Sequence, residues 1–496
     1  MTRRDVRGAP PRSLPEAVVG PGPRARQCGD GRVLDGGSPS SAPLAEVGPA
    51  ETVRRWLRTL GGSPLPPAAA PAPGCPFLDW AASGAMELTG EEDGPPVLTP
   101  GPMVSLVREA GAALEHIAGR LLPVDPALVL GGRAGAMNLT RRGRTSAGGT
   151  TRLLRASDGW CAVSLSRRDD LELVPAMLGR ADVTDPWQEL TTVVRGARAS
   201  EFTDHVRMFG VPAASLPPEP PLVDVPWQVS TIAPATGGVQ LEGALVVDLS
   251  SLWAGPLCAH LLGLAGARVV KVESTRRPDG ARAGSRRFYD WLHFGHESVA
   301  VDFTVPAGRG VLADLLRAAD VVIEASRPRA LAQLGLAPER LDHRAGKVWV
   351  SITGYGRGRP DRVAFGDDAA VAGGLVGRSA DGRPVFCADA VADPLTGVVA
   401  ALGAMGALVQ GGGRLIDVSM RNVAAAFAAA PPADHGPHPV RTVAAGTVVD
   451  CPALGRTQAV LPPRAPVAEG TAAVMGADTA RILSPSTELR RRSAPR

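Results

Sequence analysis

The chain has 496 residues, room for two or three domains and a substantial core, which excludes a small disulfide-stapled scaffold. Its net charge is +4, with Arg spread along the whole length and only Lys271 and Lys347 as lysines, so no basic patch argues for nucleic acid. Aromatic residues make up 4%, too few for a base-stacking platform.

The N-terminus opens on Arg, Pro and Gly without the apolar core of a signal peptide, and no uninterrupted apolar run approaches the roughly 20 residues that span a bilayer. A cytoplasmic chain without a membrane partner is the expectation. Residues 1–52 lack periodicity and read as a disordered tail, because Gly, Pro, Ser and Arg bury too little apolar surface to offset chain entropy. Stretches punctuated by Pro and Gly at 61–75, 212–238 and 431–446 mark candidate boundaries.

Between 241 and 350 the pattern alternates. Residues 244–249 (ALVVDL) predict a strand, 256–264 (PLCAHLLGL) a helix stopped by Gly263 and Gly266, and 268–272 (RVVKV) a second strand. A further unit follows: strand 298–303, helix 308–319, strand 321–324, a short helix near 330–334 and strand 348–353. Such alternation implies a parallel sheet covered on both faces, with ligands beyond the carboxyl ends of its strands. That rule points to the loops 250–255 (SSLWAG) and 325–329 (ASRPR). Neither contains G-x-G-x-x-G, and no P-loop occurs, which disfavours dinucleotide and nucleoside-triphosphate enzymes.

An echo runs through the chain at a spacing of 288 residues. Asp93-Gly94-Pro95-Pro96-Val97 matches Asp381-Gly382-Arg383-Pro384-Val385, and Ala81-Ala82 and Ala112-Ala113-Leu114 match Ala369-Ala370 and Ala400-Ala401-Leu402 in the same register. Asp393, before Pro394 and the apolar run 395–409, reads as a helix cap or as a nucleophile kept ionised by the helix N-terminus. Its counterpart in the first copy is Ser105, so only the second copy carries that carboxylate.

Asp367 and Asp368 read as a solvated turn rather than an acid/base pair. Arg276, Arg277, Arg282, Arg286 and Arg287 form a loop cluster that reads equally as bidentate phosphate donors or as a solvated loop in an Arg-rich protein. Gly148-Gly149 reads as a flap or a turn. The cysteines, including Cys161, Cys258 and Cys387, are widely spaced without C-x-x-C, and the histidines lack ligand spacing; a reduced, metal-free interior is expected.

Seven motifs in one order resemble the class III CoA-transferase family, which includes formyl-CoA transferases, carnitine CoA-transferases and α-methylacyl-CoA racemases. They are 247–256 (VDLSSLWAGP), 264–273 (LAGARVVKVE), 298–302 (SVAVD), 319–324 (ADVVIE), 327–331 (RPRAL) with 334–336 (LGL), 351–356 (SITGYG) and 392–397 (ADPLTG). Residues 141–222 resemble the family's small domain, 53–140 the distal half of a large domain, and 447–485 the terminal segment that returns to it. The resemblance implies an α/β fold: a Rossmann-like parallel-sheet large domain over 241–430 and a smaller α+β domain, in a partially duplicated and rearranged architecture. Linkers are placed at 223–240 and 431–446 and a tail at 486–496.

The resemblance further implies transfer of CoA from an acyl-CoA to a small carboxylic acid through acyl-aspartyl anhydride and aspartyl-CoA intermediates on Asp393. Coenzyme A is then a co-substrate, and no cofactor is bound permanently. Ser251, Leu252, Trp253, Ala254, Arg276, Ala325, Ser326 and Ala330 match CoA-holding positions, and Gly148 and Gly149 the loop that shields the anhydride from water. Family members are interlocked dimers, which implies a homodimer here. Departures are Ser274 and Gln333 where Arg is common, and Asp367 at the position of the racemases' proton-transferring His. Transferase is the leading reading, with an acyl-CoA racemase or a non-catalytic CoA-binding subunit as alternatives.

Overall fold

A computed structural model describes residues 48–61, 74–99, 101–238, 240–430 and 436–484, all within the unit Leu44–Arg496. Most of the expected N-terminal tail and the tail 486–496 lie outside the described residues. Helix α1 (Pro49–Arg58) nonetheless begins inside the segment assigned to that tail, buries Val53, Trp56 and Leu57, and moves the boundary toward the N-terminus. It is followed by α2 (Pro76–Ala82), α3 (Met103–Ala118) and α4 (Pro126–Met137).

The small α+β domain comes next. Strands β1 (Thr151–Arg155) and β2 (Trp160–Ser164) form a hairpin. Helices α5 (Arg168–Glu172), α6 (Val174–Leu178), α7 (Pro186–Val194) and α8 (Ala199–Met208) then lead to β3 (Ala213–Ser215), which pairs with β2. Its core is its own, built on Cys161, Val163, Leu190, Phe202 and Val206.

Next in order are β4 (Trp227–Thr231), β5 (Leu245–Asp248), α9 (Ala254–Leu264), β6 (Arg268–Ser274), α10 (Arg286–His293), β7 (Glu297–Val301), α11 (Pro306–Ala318), β8 (Val321–Glu324), α12 (Pro328–Gln333) and β9 (Val348–Thr353). After α13 (Gly366–Ala372) come the two-residue strands β10 (Gly377–Arg378) and β11 (Pro384–Val385), then α14 (Ala392–Val409), β12 (Arg414–Ser419) and α15 (Met420–Ala428). Strands β13 (Val440–Val443), β14 (Gly446–Cys451) and β15 (Arg456–Ala459) and helix α16 (Thr479–Ile482) are the last elements among the described residues.

The central sheet runs β4-β12-β9-β8-β5-β6-β7, parallel except for the edge strand β4. Strands β5, β8 and β9 are buried along their whole length, as uninterrupted apolar runs between two helical layers must be. From β5 the chain steps outward to β6 and β7, then returns to lay β8 on the other side of β5. This reversal opens a crevice at the carboxyl ends of β5 and β8, where the two loops singled out in the sequence emerge. The predicted strands and helices between 244 and 353 are present with small shifts at their ends.

Three expectations need correction. The segment 223–240 is no mere linker, because β4 within it closes the sheet edge on β12. The segment 431–446, of which 431–435 lie outside the described residues, contains β13, part of a three-stranded antiparallel sheet. Histidine and cysteine do come together despite their sequence spacing, at Cys75, His438 and Cys451. The terminal segment does return to the sheet. Ser298 N–H donates to Asp478 Oδ2 at 2.9 Å and Ala300 N–H to Thr479 Oγ1 at 3.0 Å, which covers the open edge of β7.

Helix α14 is the centre of the fold. It has 18 residues with mean hydropathy 1.5, long and apolar enough to cross a membrane, yet 89% of it is buried within the protein. One core joins it to Trp56 of α1, Leu106 and Val107 of α3, Leu257 of α9 and Phe427 of α15. The N-terminal helices therefore share this core rather than forming a separate domain.

The 288-residue echo holds as local structure. Val97 N–H donates to Thr89 O at 2.9 Å, as β10 and β11 pair Gly377 with Val385, and a Cβ at Gly377 would lie 2.8 Å from Thr89 Cγ2 and 3.1 Å from Val97 Cγ2. The two turns thus pack on each other, and the echoed helices α3 and α14 pack side by side.

Close approach of α14 to α9 depends on Gly397, where a Cβ would sit 2.8 Å from Ala254 O and 2.8 Å from Leu257 Cβ. Gly397→Ala is expected to cost about 1–3 kcal/mol by overpacking. Denaturant unfolding measures this, and an unchanged midpoint would show that the helices part freely.

Candidate active site

Asp393 is the second residue of α14, with Val391 in the cap position, so it does not itself cap the helix. Its side chain keeps partial access to solvent. Burial raises its pKa to about 7, the Arg133 guanidinium opposes that rise, Asp367 and Asp389 add to it, and the Gly366 N–H donates to the carboxylate. A Cβ at Gly366 would lie 2.4 Å from Asp393 Oδ2, so no larger residue leaves that donor in place.

Around Asp393 stand two carboxylates and one cation. Asp389, fully buried, accepts two hydrogen bonds from Arg133, Nε to Oδ2 at 2.8 Å and Nη2 to Oδ1 at 2.5 Å. Burial works to lower the Arg133 pKa, but the charges of Asp389, Asp367 and Asp393 outweigh it and hold the guanidinium ionised. Asp367 Oδ1 accepts from Ala390 N–H at 3.0 Å, and burial followed by the charge of Asp389 pushes its pKa up to about 6. Asp368 accepts from Phe365 N–H at 2.9 Å and Ser164 Oγ at 3.0 Å; burial raises it to about 7. The expectation of a solvated Asp367-Asp368 turn is therefore wrong. Both are buried in the first turn of α13, facing different partners.

Arg133 and Asp389 carry this arrangement, and neither was singled out in the sequence. Arg133 comes from α4, and its guanidinium carbon lies 5.4 Å from the ring centre of Trp253. A Cβ on Gly148 would be 3.4 Å from Arg133 Nη2. One side chain thus brings together the glycine loop, the start of α9 and the Asp393 cluster. Gly149 takes φ +80° in a tight turn closed by its N–H to Ser146 O at 2.8 Å, a conformation that favours glycine.

The loop after β5 is held from below by Lys271, whose Nζ donates to Ser250 O at 3.0 Å and pairs with Asp279 at 3.0 Å. Asp279 Oδ1 in turn accepts from Leu252 N–H at 3.0 Å. Ser251 is exposed, Leu252 is 43% exposed at φ +72°, and Trp253 and Ala254 are buried. Across the crevice Ala325 is exposed, while Ser326 and Ala330 are half-buried at the start of α12.

Most of the expected arginine cluster is spent on internal partners. Arg282 is bound to Glu273, Arg286 to Asp290, Arg287 to Pro466 O and Arg276 to Asp302. A different positive group forms at the carboxyl ends of β6 and β8. Burial and then the charges of Arg329, Arg167 and Arg277 lower the pKa of Arg327. The buried thiols Cys161 and Cys387 are pushed up to about 12 by burial, which leaves them inert, as expected of core cysteines.

Residues 241–460 match the family model described as CoA-transferase family III. The matched segment is less than half of the chain. It is similar to the succinyl-CoA–D-citramalate CoA-transferase of Chloroflexus aurantiacus, 31% identical over 196 residues that cover 36% of this chain and 49% of that one. It is also similar to the succinate–glutarate CoA-transferase of Agrobacterium fabrum, 32% identical over 212 residues, 38% and 53% of the two chains. The formyl-CoA:oxalate CoA-transferase of a Bradyrhizobium species is 29% identical over 197 residues, 37% and 46%. Among solved structures, a CaiB/BaiF family protein from Brucella suis aligns with a TM-score of 0.38 at 25% identity, covering 43% of this chain and 66% of that one. The chain spans about half the length of these CoA-transferases.

Within the matched segment, the raised carboxyl groups give stability a defined pH dependence. Folded values of about 6 and about 7 for Asp367 and Asp393 lie above the ordinary 3.8. The native state therefore holds protons that the unfolded chain has already lost, and stability falls as pH rises through that window. Asp393→Asn is expected to raise the unfolding midpoint more at about pH 8 than at about pH 4.5. Equal shifts at both pH values would show that the carboxyl group is not desolvated.

Proposed function

We propose that the chain moves CoA from an acyl-CoA thioester to a carboxylic acid, with Asp393 as the nucleophile. The observation that carries this reading is the position of the Asp393 carboxyl group. It lies in the first turn of a buried helix, between the Gly366 N–H and the Arg133 cation, beside the start of α9. When a thiolate attacks the acylated Asp393 carbonyl, the oxyanion forms on an Asp393 oxygen, and the Gly366 N–H directed at that group, with the charge of the guanidinium nearby, supports its stabilisation without rearrangement.

In the proposed sequence an Asp393 oxygen attacks the thioester carbonyl carbon, the C–S bond breaks, and CoA thiolate leaves an acyl-aspartyl anhydride behind. The thiolate then attacks the aspartyl carbonyl, and the first acid departs as its carboxylate. The acceptor carboxylate attacks the resulting aspartyl-CoA thioester and expels the thiolate a second time. The thiolate finally attacks the acceptor's acyl carbon and frees Asp393. No net proton or electron is consumed. Both anhydrides are prone to hydrolysis, and Gly148-Gly149 would shield them, a role supported by the closeness of Gly148 to Arg133.

The crevice at the ends of β5 and β8 would take the CoA moiety, with Ser251–Ala254 on one wall and Ala325, Ser326 and Ala330 on the other. Phosphate charge would meet the group around Arg327 and Arg277 rather than Arg276, which is engaged with Asp302. Racemisation is disfavoured because Asp367, at the position of the racemase imidazole, is tied to the Ala390 N–H. Arg133, Asp367, Asp389 and Asp393 all belong to one chain, so the homodimer implied by the resemblance is not needed to complete this cluster.

Asp393→Ala is expected to lower transfer at least about a thousandfold. Hydroxylamine trapping during turnover should mark Asp393 in the wild type, and full transfer activity in the variant would end the reading. The relatives' names pair short acids, so formyl-, succinyl- and glutaryl-CoA with oxalate, succinate and glutarate form the first panel. Because the carboxylate must be ionised, the rate should rise with pH through about 7. Arg133→Gln is expected to move that limb upward by roughly one pH unit or more, and Arg133→Lys by less. A limb unmoved in Arg133→Gln would remove the cation from the account.

A further inference from the structure

Three soft donors from three separate parts of the chain converge outside the Asp393 cluster. Cys75 precedes α2, His438 lies just before β13, and Cys451 ends β14; their donor atoms all lie within 4.8 Å of one another. Cys75 Sγ and His438 Nε2 are 3.1 Å apart. Register accounts for half of this convergence. Val440 pairs with Val449 in an antiparallel ladder, and Asp450 N–H donates to Pro439 O at 3.0 Å, so the ladder continues to place His438 opposite Cys451. Directly opposed residues in such a pair put their side chains on the same face.

Packing supplies the third donor. Leu461 N–H donates to Ala81 O at 2.9 Å and holds the chain after β15 against α2, which brings Cys75 onto the His438–Cys451 pair. The Phe77 ring lies 4.2 Å from the His438 ring, between centres, and fixes its orientation. Cys75 is 2% exposed, Cys451 1% and His438 9%, so the donors face a dry interior.

We propose that Cys75, His438 and Cys451 form a binding site for a divalent ion of the zinc class. Two thiolates and an imidazole are the donor set such an ion prefers over oxygen-seeking magnesium or calcium. Tetrahedral zinc at ordinary bond lengths separates its ligand atoms by about 3.5–3.8 Å, within the present span and a few tenths wider than the Cys75–His438 contact. On binding, the two thiols form S–metal bonds and release two protons, with no change of oxidation state. The site joins the segment before α2 to the three-stranded sheet β13–β15, so a bound ion would fasten that N-terminal helical segment to the sheet.

The test uses the full chain, reduced, incubated with zinc, desalted and analysed for bound metal. One zinc per chain is expected in the wild type, with the double variant Cys75→Ser/Cys451→Ser at background. His438→Ala, which keeps both thiols, should weaken binding at least about tenfold. Cobalt in place of zinc should give intense thiolate-to-metal charge-transfer absorption and tetrahedral d–d bands in the wild type, a readout that needs no variant to fold. Wild type retaining no more metal than the double variant, or cobalt spectra lacking thiolate bands, would overturn the proposal. So would an intact mass showing Cys75 and Cys451 joined as a disulfide that persists in reductant.

Discussion

The site depends on one ion pair, Arg133 with Asp389. Asp389 is fully buried, and a buried carboxylate without a partner is costly enough to unfold a region or to stay protonated. Asp367 and Asp393 stand in the same field, and two like charges 4 Å apart repel by about 4 kcal/mol at an effective dielectric constant of about 20. One guanidinium cannot neutralise three carboxylates. The outcome is that Arg133 stays charged and Asp389 takes the bidentate pair, while Asp367 and Asp393 settle near about 6 and about 7. Asp393 is thereby poised to change charge near neutrality. The cation comes from α4, which ties the helical N-terminal segment to chemistry on a sheet that begins a hundred residues later.

The backbone around Asp389 is shaped for this purpose. Ala388 and Ala390 have φ of +53° and +44°, a region where a Cβ costs about 1–2 kcal/mol per residue. Glycine would relieve that strain but would also loosen the turn. The conformation aims Asp389 at Arg133, presents the Ala390 N–H to Asp367, and lets Ala390 O accept from Asp393 N–H at 2.9 Å. Leu252, at φ +72°, repeats the pattern on the crevice wall. Strained residues thus stand beside the Asp393 cluster and at the crevice, where fixed geometry is needed most.

What could be read from the sequence follows how local the determinants are. Strands β5, β8 and β9 announce themselves as β-branched apolar runs, and the topology rule then leads to the loops after β5 and β8. Strands β4 and β12 were missed because WQVST and RLIDVS mix polar and apolar residues, and what makes them strands is their pairing with each other and with β9. Asp393 was legible through its motif. Arg133 was not, since it is one arginine among many in an unremarkable helix, and its role comes from a contact with Asp389 spanning 256 residues. The same distance effect misled the reading of Asp367-Asp368. Adjacent acidic residues usually face water, and only the packing of α13 against the small domain and the turn after β11 buries them. The convergence of Cys75, His438 and Cys451 was not legible for the same reason, because His438 and Cys451 are brought together by cross-strand register rather than by spacing along a helix.

The 288-residue echo separates what is alike in packing from what differs in charge. Helices α3 and α14 lie together in the same core, and the turns after Thr89 and Gly377 each pair their own two arms in the same register. Yet Asp79 stands at the position of Asp367, Gly101 at that of Asp389, and Ser105 at that of Asp393. The first stretch has no carboxylate at the positions of Asp389 and Asp393, and Asp79 pairs with Arg108 at 2.8 Å. Their absence avoids a burial penalty without removing any apolar contact. The difference is also locked in place. A Cβ at Gly101 would lie 2.4 Å from Phe427 O, leaving no room to restore an aspartate there without moving α15. The first stretch packs against the helix that follows the second, and what it contributes to the site is, through α4, the cation of the Arg133–Asp389 pair.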